Sequence, residues 1–277
     1  MVTAAAWFAA ATARLQQAGC ADAAFDARCL LEDVGGQPRG RLPGEDGLCA
    51  ETLSRLEEAL AQREAGRPLQ YILGEWAFLT LSLRVGEGVL IPRPDTECLC
   101  EEAASRLRPG ARVLDLCAGS GCVGLGVASL CSGVSVTAVE LSQQALPYLQ
   151  ENVRRYPAYG VQVRQADVLR DYASFEDGWD AIVSNPPYIP TGDISTLMRE
   201  VQQEPRMALD GDADGLLFYR VIANRWCNKL QPGGFCAVEV GIGQASAVRD
   251  LFVAAGLRDI CIRCDLAGIE RVVCAVR

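Results

Sequence analysis

The hydrophobic positions change their period along the chain. Up to about Glu75 they recur at three- and four-residue intervals: Trp7, Phe8, Ala11 and Leu15, then Phe25, Leu30 and Leu31, then Leu53, Leu56 and Leu60. That spacing gathers them on one face of each of several helices. Gly35, Gly36, Pro38, Pro43 and Gly44 punctuate the pattern, so a small helical bundle is expected over 1–75. From Trp76 to Ile91 apolar and polar residues roughly alternate, through Phe78, Leu81, Leu83 and Val85, which predicts a hairpin linking two domains over 76–92. A proline-rich corner follows, Ile91-Pro92-Arg93-Pro94-Asp95-Thr96-Glu97.

Beyond the corner, strand-like and helix-like runs alternate to the end of the chain. Strands are expected near Arg112–Leu116, Val134–Glu140, Val161–Gln165, Trp179–Val183, Gly234–Val240, Asp259–Arg263 and Arg271–Val276, with helices such as Ser142–Arg155, Gly215–Asn228 and Gln244–Ala255 between them. Repeated βα units imply an open α/β sheet, mostly parallel and doubly wound, with ligands at the carboxyl ends of its strands. The last two strands have no helix between them, so that pair is expected to be antiparallel. Two uncharged stretches do not change this picture. Met1–Ala13 has no basic residue ahead of it and Arg14 after it, the wrong polarity for an export signal. Leu116–Val139 is long enough to span a bilayer, but five glycines and four serines break it, and it is expected to be strand, loop, helix and strand.

Composition narrows the chemistry. The 277 residues are 50% hydrophobic and 22% charged, an ordinary globular balance. A net charge of −9 opposes sequence-independent binding to nucleic acid phosphates. With no histidine in the chain, a His general base, a Ser-His-Asp or Cys-His nucleophile and any His-containing zinc site are excluded. The 13 cysteines lack the even spacing of a secreted disulfide framework, which suggests a reducing cytoplasm. Cys261 and Cys264 form the one CxxC; without a second pair they are read as strand and loop thiols, and no metal site is expected.

The first strand of the sheet runs into Asp115-Leu116-Cys117-Ala118-Gly119-Ser120-Gly121-Cys122-Val123-Gly124, which contains a literal GxGxxG. Alone this is a weak signal, and a glycine loop serving only helix packing is the alternative. Glu140 ends the next strand 19 residues beyond Gly121, close to the spacing at which an acid accepts from ribose hydroxyls. Loop and acid together indicate a nucleoside cofactor. In a dinucleotide site, Asp115 at the strand end would repel the pyrophosphate; the sulfonium and ammonium of S-adenosylmethionine would instead attract a carboxylate. The residues therefore favour S-adenosylmethionine over NAD.

After the fourth strand stands Asn185-Pro186-Pro187-Tyr188. Two prolines hold the backbone extended and donate no N–H, leaving carbonyls free to accept. Asn185 adds an amide oxygen and Tyr188 a flat ring. This set suits a planar NH2 group, a carboxamide or the exocyclic amine of a base. The Asn185 oxygen and the Pro186 carbonyl would hold its two N–H bonds while Tyr188 packs on its face. Fixing both hydrogens aims the delocalised lone pair at a sulfonium methyl, and no general base is required, since the proton becomes acidic once the methyl has moved. A tight loop after a strand is the bland alternative.

These blocks resemble the bacterial release factor glutamine methyltransferases of the HemK type, over nearly the whole chain. The resemblance is carried by Arg67-Pro-Leu-Gln-Tyr-Ile-Leu-Gly74, Leu90-Ile-Pro-Arg-Pro-Asp-Thr-Glu97, Asp115-Leu-Cys-Ala-Gly-Ser-Gly121, Val183-Ser-Asn-Pro-Pro-Tyr-Ile189, and Glu204-Pro205 followed by Asp214-Gly215 and Tyr219-Arg220. It implies a Rossmann-like, seven-stranded methyltransferase domain over 93–277 that uses S-adenosylmethionine. The implied acceptor is the side-chain amide of the glutamine in the Gly-Gly-Gln loop of peptide chain release factors, gripped in part by the helical domain. By position, Cys117, Ala118, Gly119, Ser120, Gly121 and Glu140 would bind the cofactor, and Asp167 and Val168 would flank its adenine. Asn185, Pro186, Pro187 and Tyr188 would receive the glutamine, with Asn185 also near the transferable methyl. Glu140 stands where the family often has Asp, and Val168 where a larger aromatic is common. The corner at 92–97 is expected to close over cofactor or substrate.

A ribosomal-protein glutamine methyltransferase would share this core and is not separated by these blocks. A DNA adenine methyltransferase uses a similar Pro-Pro-aromatic motif but needs a basic surface, against the net charge. A non-catalytic binding module is opposed by the intact Asn185, Tyr188, Gly119 and Gly121, and a dehydrogenase by Asp115 and the missing histidine. A cytoplasmic monomer without direct nucleic acid or membrane contact is expected.

Overall fold

The computed structural model describes residues 2–277. Met1, the first residue of the uncharged N-terminal stretch, lies outside the described residues. The chain divides into two compact units: one reaching up to Glu75 together with Met198–Gln203, the other Trp76–Leu197 with Glu204–Arg277.

The first unit is helical. Its helices are α1 (Ala4–Gln17), α2 (Ala23–Cys29), α3 (Ala50–Glu64) and α4 (Leu69–Leu73). Thr3 caps α1 by accepting from Ala6 N–H, and Trp7, Ala11 and Leu15 form its buried stripe. Leu56, Ala59, Leu60 and Arg63 form that of α3. The polar centre of this unit is Arg63, which donates to Asp26 at 2.7 Å and to Glu200 at 2.8 Å. Gln203 adds a bond to the Gly66 carbonyl at 2.6 Å. A six-residue stretch far along the chain is thereby part of the helical unit.

The second unit opens with a hairpin of β1 (Glu75–Phe78) and β2 (Leu81–Arg84), and continues as α5 (Glu97–Arg106), β3 (Arg112–Leu116), α6 (Cys122–Leu130), β4 (Ser135–Glu140), α7 (Leu146–Arg155), β5 (Val161–Gln165), β6 (Trp179–Ser184), α8 (Leu217–Val221), β7 (Leu230–Glu239), α9 (Ala245–Ala254), β8 (Arg258–Cys264) and β9 (Glu270–Val276). Seven strands make one sheet in the order β5-β4-β3-β6-β7-β9-β8. The β5, β4, β3, β6 and β7 neighbours are parallel, and β9 is antiparallel to both β7 and β8. This is the α/β, doubly wound arrangement expected, with the antiparallel final pair. Val113, Ala138, Ala181 and Ala237 bury one face of the sheet and Leu114, Val139, Ile182 and Val238 the other.

Three details differ from the sequence reading. The hairpin belongs to the sheet unit rather than standing as a separate linker; Phe78, Leu81 and Leu83 are buried in the core that α5 and α6 cover. The helix expected over 215–228 is broken after α8 into a wide turn, Ile222–Trp226, and a tight one, Cys227–Lys229. Trp226 there packs edge-on against Phe175 and donates to the Val168 carbonyl. β7 begins four residues early, at Leu230, and its register against β6 shifts between Trp179 and Ala181, where Pro232 has no N–H for the ladder. As expected, the uncharged run 116–139 resolves into the end of β3, a loop, α6 and β4, and no described helix is long and apolar enough to cross a membrane.

Candidate active site

Winding runs from β3 to β4 and β5 on one side and returns to β6 and β7 on the other. The crevice therefore opens at the carboxyl ends of β3 and β6, where such sheets bind ligands. Leu116 pairs with Ser184 there, and the Ser184 hydroxyl bonds the Leu116 carbonyl at 2.6 Å. This fixes the glycine loop and the Asn-Pro-Pro-Tyr segment against each other at their first residues.

The loop after β3 turns through left-handed backbone at Cys117, Gly119 and Gly121, with φ of 61°, 56° and 85°. At Gly121 a Cβ would stand 2.7 Å from Leu149 Cδ1, whereas at Gly119 it would meet open space. Gly121 is thus favoured by its left-handed backbone and by the nearby Leu149 side chain, while Gly119 leaves the loop's surface bare. Glu140 ends β4 and clasps the loop: its two oxygens accept from Gly119 N–H at 2.7 Å and Ser142 N–H at 2.6 Å. Each oxygen keeps a lone pair for a further donor. Asn152 on α7, which the sequence reading missed, is fully buried. It donates to the Ser120 and Arg84 carbonyls and accepts from Arg84 N–H, tying the loop to β2. An asparagine on the apolar face of a predicted helix was the available signal.

Asp115 plays a different part from the one its position suggested. It is wholly buried, with Oδ2 accepting from Gly124 N–H at 2.8 Å and Oδ1 without a partner among the described residues. Burial pushes its carboxyl up to about 8, opposed by that hydrogen bond and aided by Glu140. It braces α6 from beneath and is not on the ligand side. The electrostatic case against a pyrophosphate passes to the cleft itself.

That cleft has a volume of about 380 Å³. Glu140, Asp167, Asp210 and Asp212 are among its walls, and no basic side chain is. Val89, Leu90, Leu141, Val168, Leu169 and Phe218 supply apolar surface. Asp167 is held in a turn, its Oδ1 accepting from Leu169 N–H and its own N–H donating to Asp171. Val168 is fixed from behind by Trp226. Phe218, two residues beyond Leu216 and also missed, brings an aromatic ring to the wall that Val168 leaves without one. A second, small cavity of about 30 Å³ adjoins, lined by Leu90, Arg93, Thr96, Gly119, Ser120 and Asn185 among others. Leu90, Cys117 and Asn185 line both cavities.

Asn185 therefore stands at the junction. Its Nδ2 donates to the Thr96 hydroxyl at 3.1 Å. Pro187 lines the large cleft, while Pro186 and Tyr188 are not among the walls of either cavity. Among the described residues no donor reaches the Pro186 carbonyl. Tyr188 lies behind the motif: its hydroxyl reaches toward Glu239 Oε1 at 3.4 Å, and its carbonyl accepts from Gln244 Nε2 at 2.9 Å. Burial and the nearby Glu239 push the Tyr188 phenol up. Gly211 and Gly215 let a neighbouring loop touch the same backbone, since a Cβ at either would stand within 2.8 Å of it. Arg93 pairs with the buried Glu204, which also accepts from Ile91 N–H at 3.0 Å. The corner at 91–96 is anchored by this pair.

Comparison with known proteins agrees with this geometry. Residues 6–74 match the family model of the PrmC N-terminal domain, and residues 95–219 that of the methyltransferase small domain. The release factor glutamine methyltransferase of Caulobacter vibrioides is 37% identical over 279 residues, covering 98% of this chain and 95% of the relative. That of Geobacter sulfurreducens is 42% identical over 227 residues, covering 82% of this chain and 79% of the relative. The chain belongs to the release factor glutamine methyltransferase family. A methyltransferase structure from Pyrococcus furiosus, 15% identical, superposes with a TM-score of 0.53 over 80% of this chain and 98% of that one, which concerns the fold alone.

A further cluster brings together Glu102, Cys261 and Cys274. Both Glu102 oxygens are already engaged, by Arg106 at 2.6 Å and Arg263 at 2.7 Å, and all thirteen cysteines are free thiols. Cys264, the other half of the CxxC, is exposed and apart from that cluster.

Proposed function

We propose that the protein transfers a methyl group from S-adenosylmethionine to the side-chain amide nitrogen of the glutamine in the Gly-Gly-Gln motif of peptide chain release factors. The observation that carries the reading is Asn185 at the meeting of the two cavities, with its Nδ2 turned back on Thr96. Family membership supports the acceptor, since the relatives bear the name of that reaction.

The residues fit the cofactor. The clasped Glu140 would accept from ribose hydroxyls, Val168, Leu141 and Phe218 would enclose the adenine beside Asp167, and the bare surface at Gly119 would allow close approach. The small cavity between Ser120, Arg93 and Thr96 would take the amino acid end. An acidic cleft without a basic side chain suits a cation and opposes a pyrophosphate. S-adenosylmethionine, when bound, supplies an electrophilic methyl on a sulfonium.

The chain's own part is orientation. Asn185 Oδ1 and the Pro186 carbonyl would accept the two N–H bonds of the glutamine amide, and Pro187 would close its side of the cleft. Tyr188, braced by Gln244 and Glu239, would hold the motif's backbone in place behind the amide. Fixing both hydrogens turns the nitrogen lone pair toward the methyl. The same acceptors stabilise the positive charge that develops on nitrogen, and a proton then leaves without a dedicated base. We read the protein as a cytoplasmic monomer in this role.

Incubation with S-adenosylmethionine and a purified release factor, followed by tandem mass spectrometry, tests the reading. One added methyl on the Gly-Gly-Gln glutamine is expected. Methylation of another residue, or none with cofactor binding established, would overturn it.

A further inference from the structure

Two cysteines face each other where the sheet ends. β8 is an edge strand, and its Cys261 is the ladder partner of Cys274 on the antiparallel neighbour β9. Residues directly opposite in such a ladder have Cα atoms about 4.5–5.5 Å apart, within the span of about 4.4–6.8 Å that a disulfide bridges. The two side chains lie on the same face of the sheet, and their Sγ atoms are within 4.8 Å of each other. Among the described residues no other two cysteines are partners in the seven-stranded sheet: Cys236 faces Ala275 and Cys264 faces Glu270.

The surroundings give the two thiols different parts. Cys274 has no exposed surface, and burial pushes its thiol up to about 12 against the pull of Arg106. Cys261 is half-buried on the open edge, where a small oxidant can reach it. Arg106 at the end of α5 donates from Nη2 to the Cys261 sulfur at 3.0 Å, and the thiol itself donates to Glu102 Oε1 at 3.6 Å. That carboxylate is held by Arg106 at 2.6 Å and by Arg263 at 2.7 Å, so two guanidinium groups stand against one carboxylate beside Cys261. A local excess of positive charge repels a metal cation. It suits the negative charge that the leaving oxygen of a peroxide takes on, while Glu102 gives the thiol proton an acceptor.

We propose that Cys261 and Cys274 are a peroxide-sensitive pair, in which Cys261 is oxidised first beside the Arg106 guanidinium and Cys274 then closes a reversible cross-strand disulfide. In the first step the Cys261 sulfur attacks one oxygen of hydrogen peroxide. An S–O bond forms, the O–O bond breaks, and the departing hydroxide takes up the thiol proton by way of Glu102 to leave as water. In the second step the Cys274 sulfur attacks the sulfenic acid on Cys261. An S–S bond forms, the S–O bond breaks, and the departing hydroxide leaves as water with the Cys274 proton. Two thiols are oxidised and one peroxide is reduced to two waters. Opposed Cβ atoms in a ladder stand about 4.5–5.5 Å apart, wider than the roughly 3.5–4.5 Å of a disulfide. Closing the bridge draws the strands together, and strain of that kind makes a disulfide easier to reduce. The pair lines neither cavity of the candidate active site, and its chemistry does not depend on the methyl-transfer reading.

The test treats the reduced full chain with an equimolar amount of hydrogen peroxide, blocks the remaining thiols with iodoacetamide, and maps tryptic peptides without reductant by mass spectrometry. Cleavage after Arg258, Arg263 and Arg271 puts Cys261, Cys264 and Cys274 on separate peptides. The expected product joins 259–263 to 272–277, with two of the thirteen thiols lost and both recovered on adding reduced glutathione. Cys274→Ala should leave a sulfenic acid on Cys261 that dimedone traps, and Cys261→Ala should leave Cys274 reduced. Arg106→Leu should slow bridging about tenfold or more, by removing the donor beside the leaving oxygen. Joining of Cys261 to Cys98 or Cys264, oxidation of the exposed Cys49 and Cys264 ahead of any bridge, a bridge that glutathione does not reopen, or an Arg106→Leu variant that bridges at the wild-type rate would overturn the proposal.

Discussion

Asn185 donates to Thr96 and lines both cavities, so deleting its side chain should remove the amide acceptor while leaving the Glu140 clasp and the remaining walls in place. Asn185→Ala is expected to lower kcat by about a hundredfold or more. Binding of S-adenosylhomocysteine, read by calorimetry, should change little; joint loss of both would mean that the residue is structural. Asp115 carries a different prediction. Its carboxyl rises from 3.8 to about 8 on burial, so the folded state holds a proton that the unfolded state releases. Its contribution to stability is full below about 4 and is lost as pH rises toward about 8. Glu239, raised to about 7, acts in the same direction. Thermal midpoints should therefore fall between pH of about 5 and 8, and fall less steeply in Asp115→Asn; an unchanged slope would contradict the assignment. Asp115 also marks where the sequence misleads. Its place at a strand end was legible, but which side of the loop it faces depends on Gly124 N–H, nine residues on.

The glycine loop, the strand that feeds it and the acid that clasps it follow from local pattern. Left-handed backbone favours glycine at 119 and 121, and a parallel neighbour strand delivers Glu140 to the loop. The loop's second support was hidden, because Asn152 comes from a helix 32 residues beyond Ser120 and joins it to β2. Removing that side chain deprives the buried Ser120 carbonyl of its donor and cuts both bonds to Arg84. Asn152→Ala is expected to cost about 3 kcal/mol of stability, and to weaken S-adenosylhomocysteine binding, which a thermal-shift titration would reveal. Unchanged affinity would mean that the loop holds its shape without α7. The wide turn at Ile222–Trp226 was equally unreadable, since helical periodicity alone does not show a tryptophan indole bound to the Val168 carbonyl.

For the molecule as a whole, the mostly parallel sheet and its antiparallel end follow from counting βα units, whereas the order β5-β4-β3-β6-β7-β9-β8 is set by tertiary packing. The membership of Met198–Gln203 in the helical unit does not follow from sequence pattern either. It depends on Arg63 reaching both Asp26 and Glu200, partners separated by most of the chain. Arg63→Ala strands Asp26 as a buried carboxylate and is expected to destabilise the helical unit by roughly 3–5 kcal/mol. Hydrogen exchange should accelerate in α1 to α3 while the sheet stays protected; uniform loss of protection would argue that the two units unfold as one. The central claim concerns the reaction, and it is tested most directly by transfer of labelled methyl from S-adenosylmethionine to a bacterial release factor, alongside a release factor whose Gly-Gly-Gln glutamine is alanine. Label on the first and none on the second is the expected result. Equal labelling of both, or none on either from an enzyme that binds the cofactor, would contradict it.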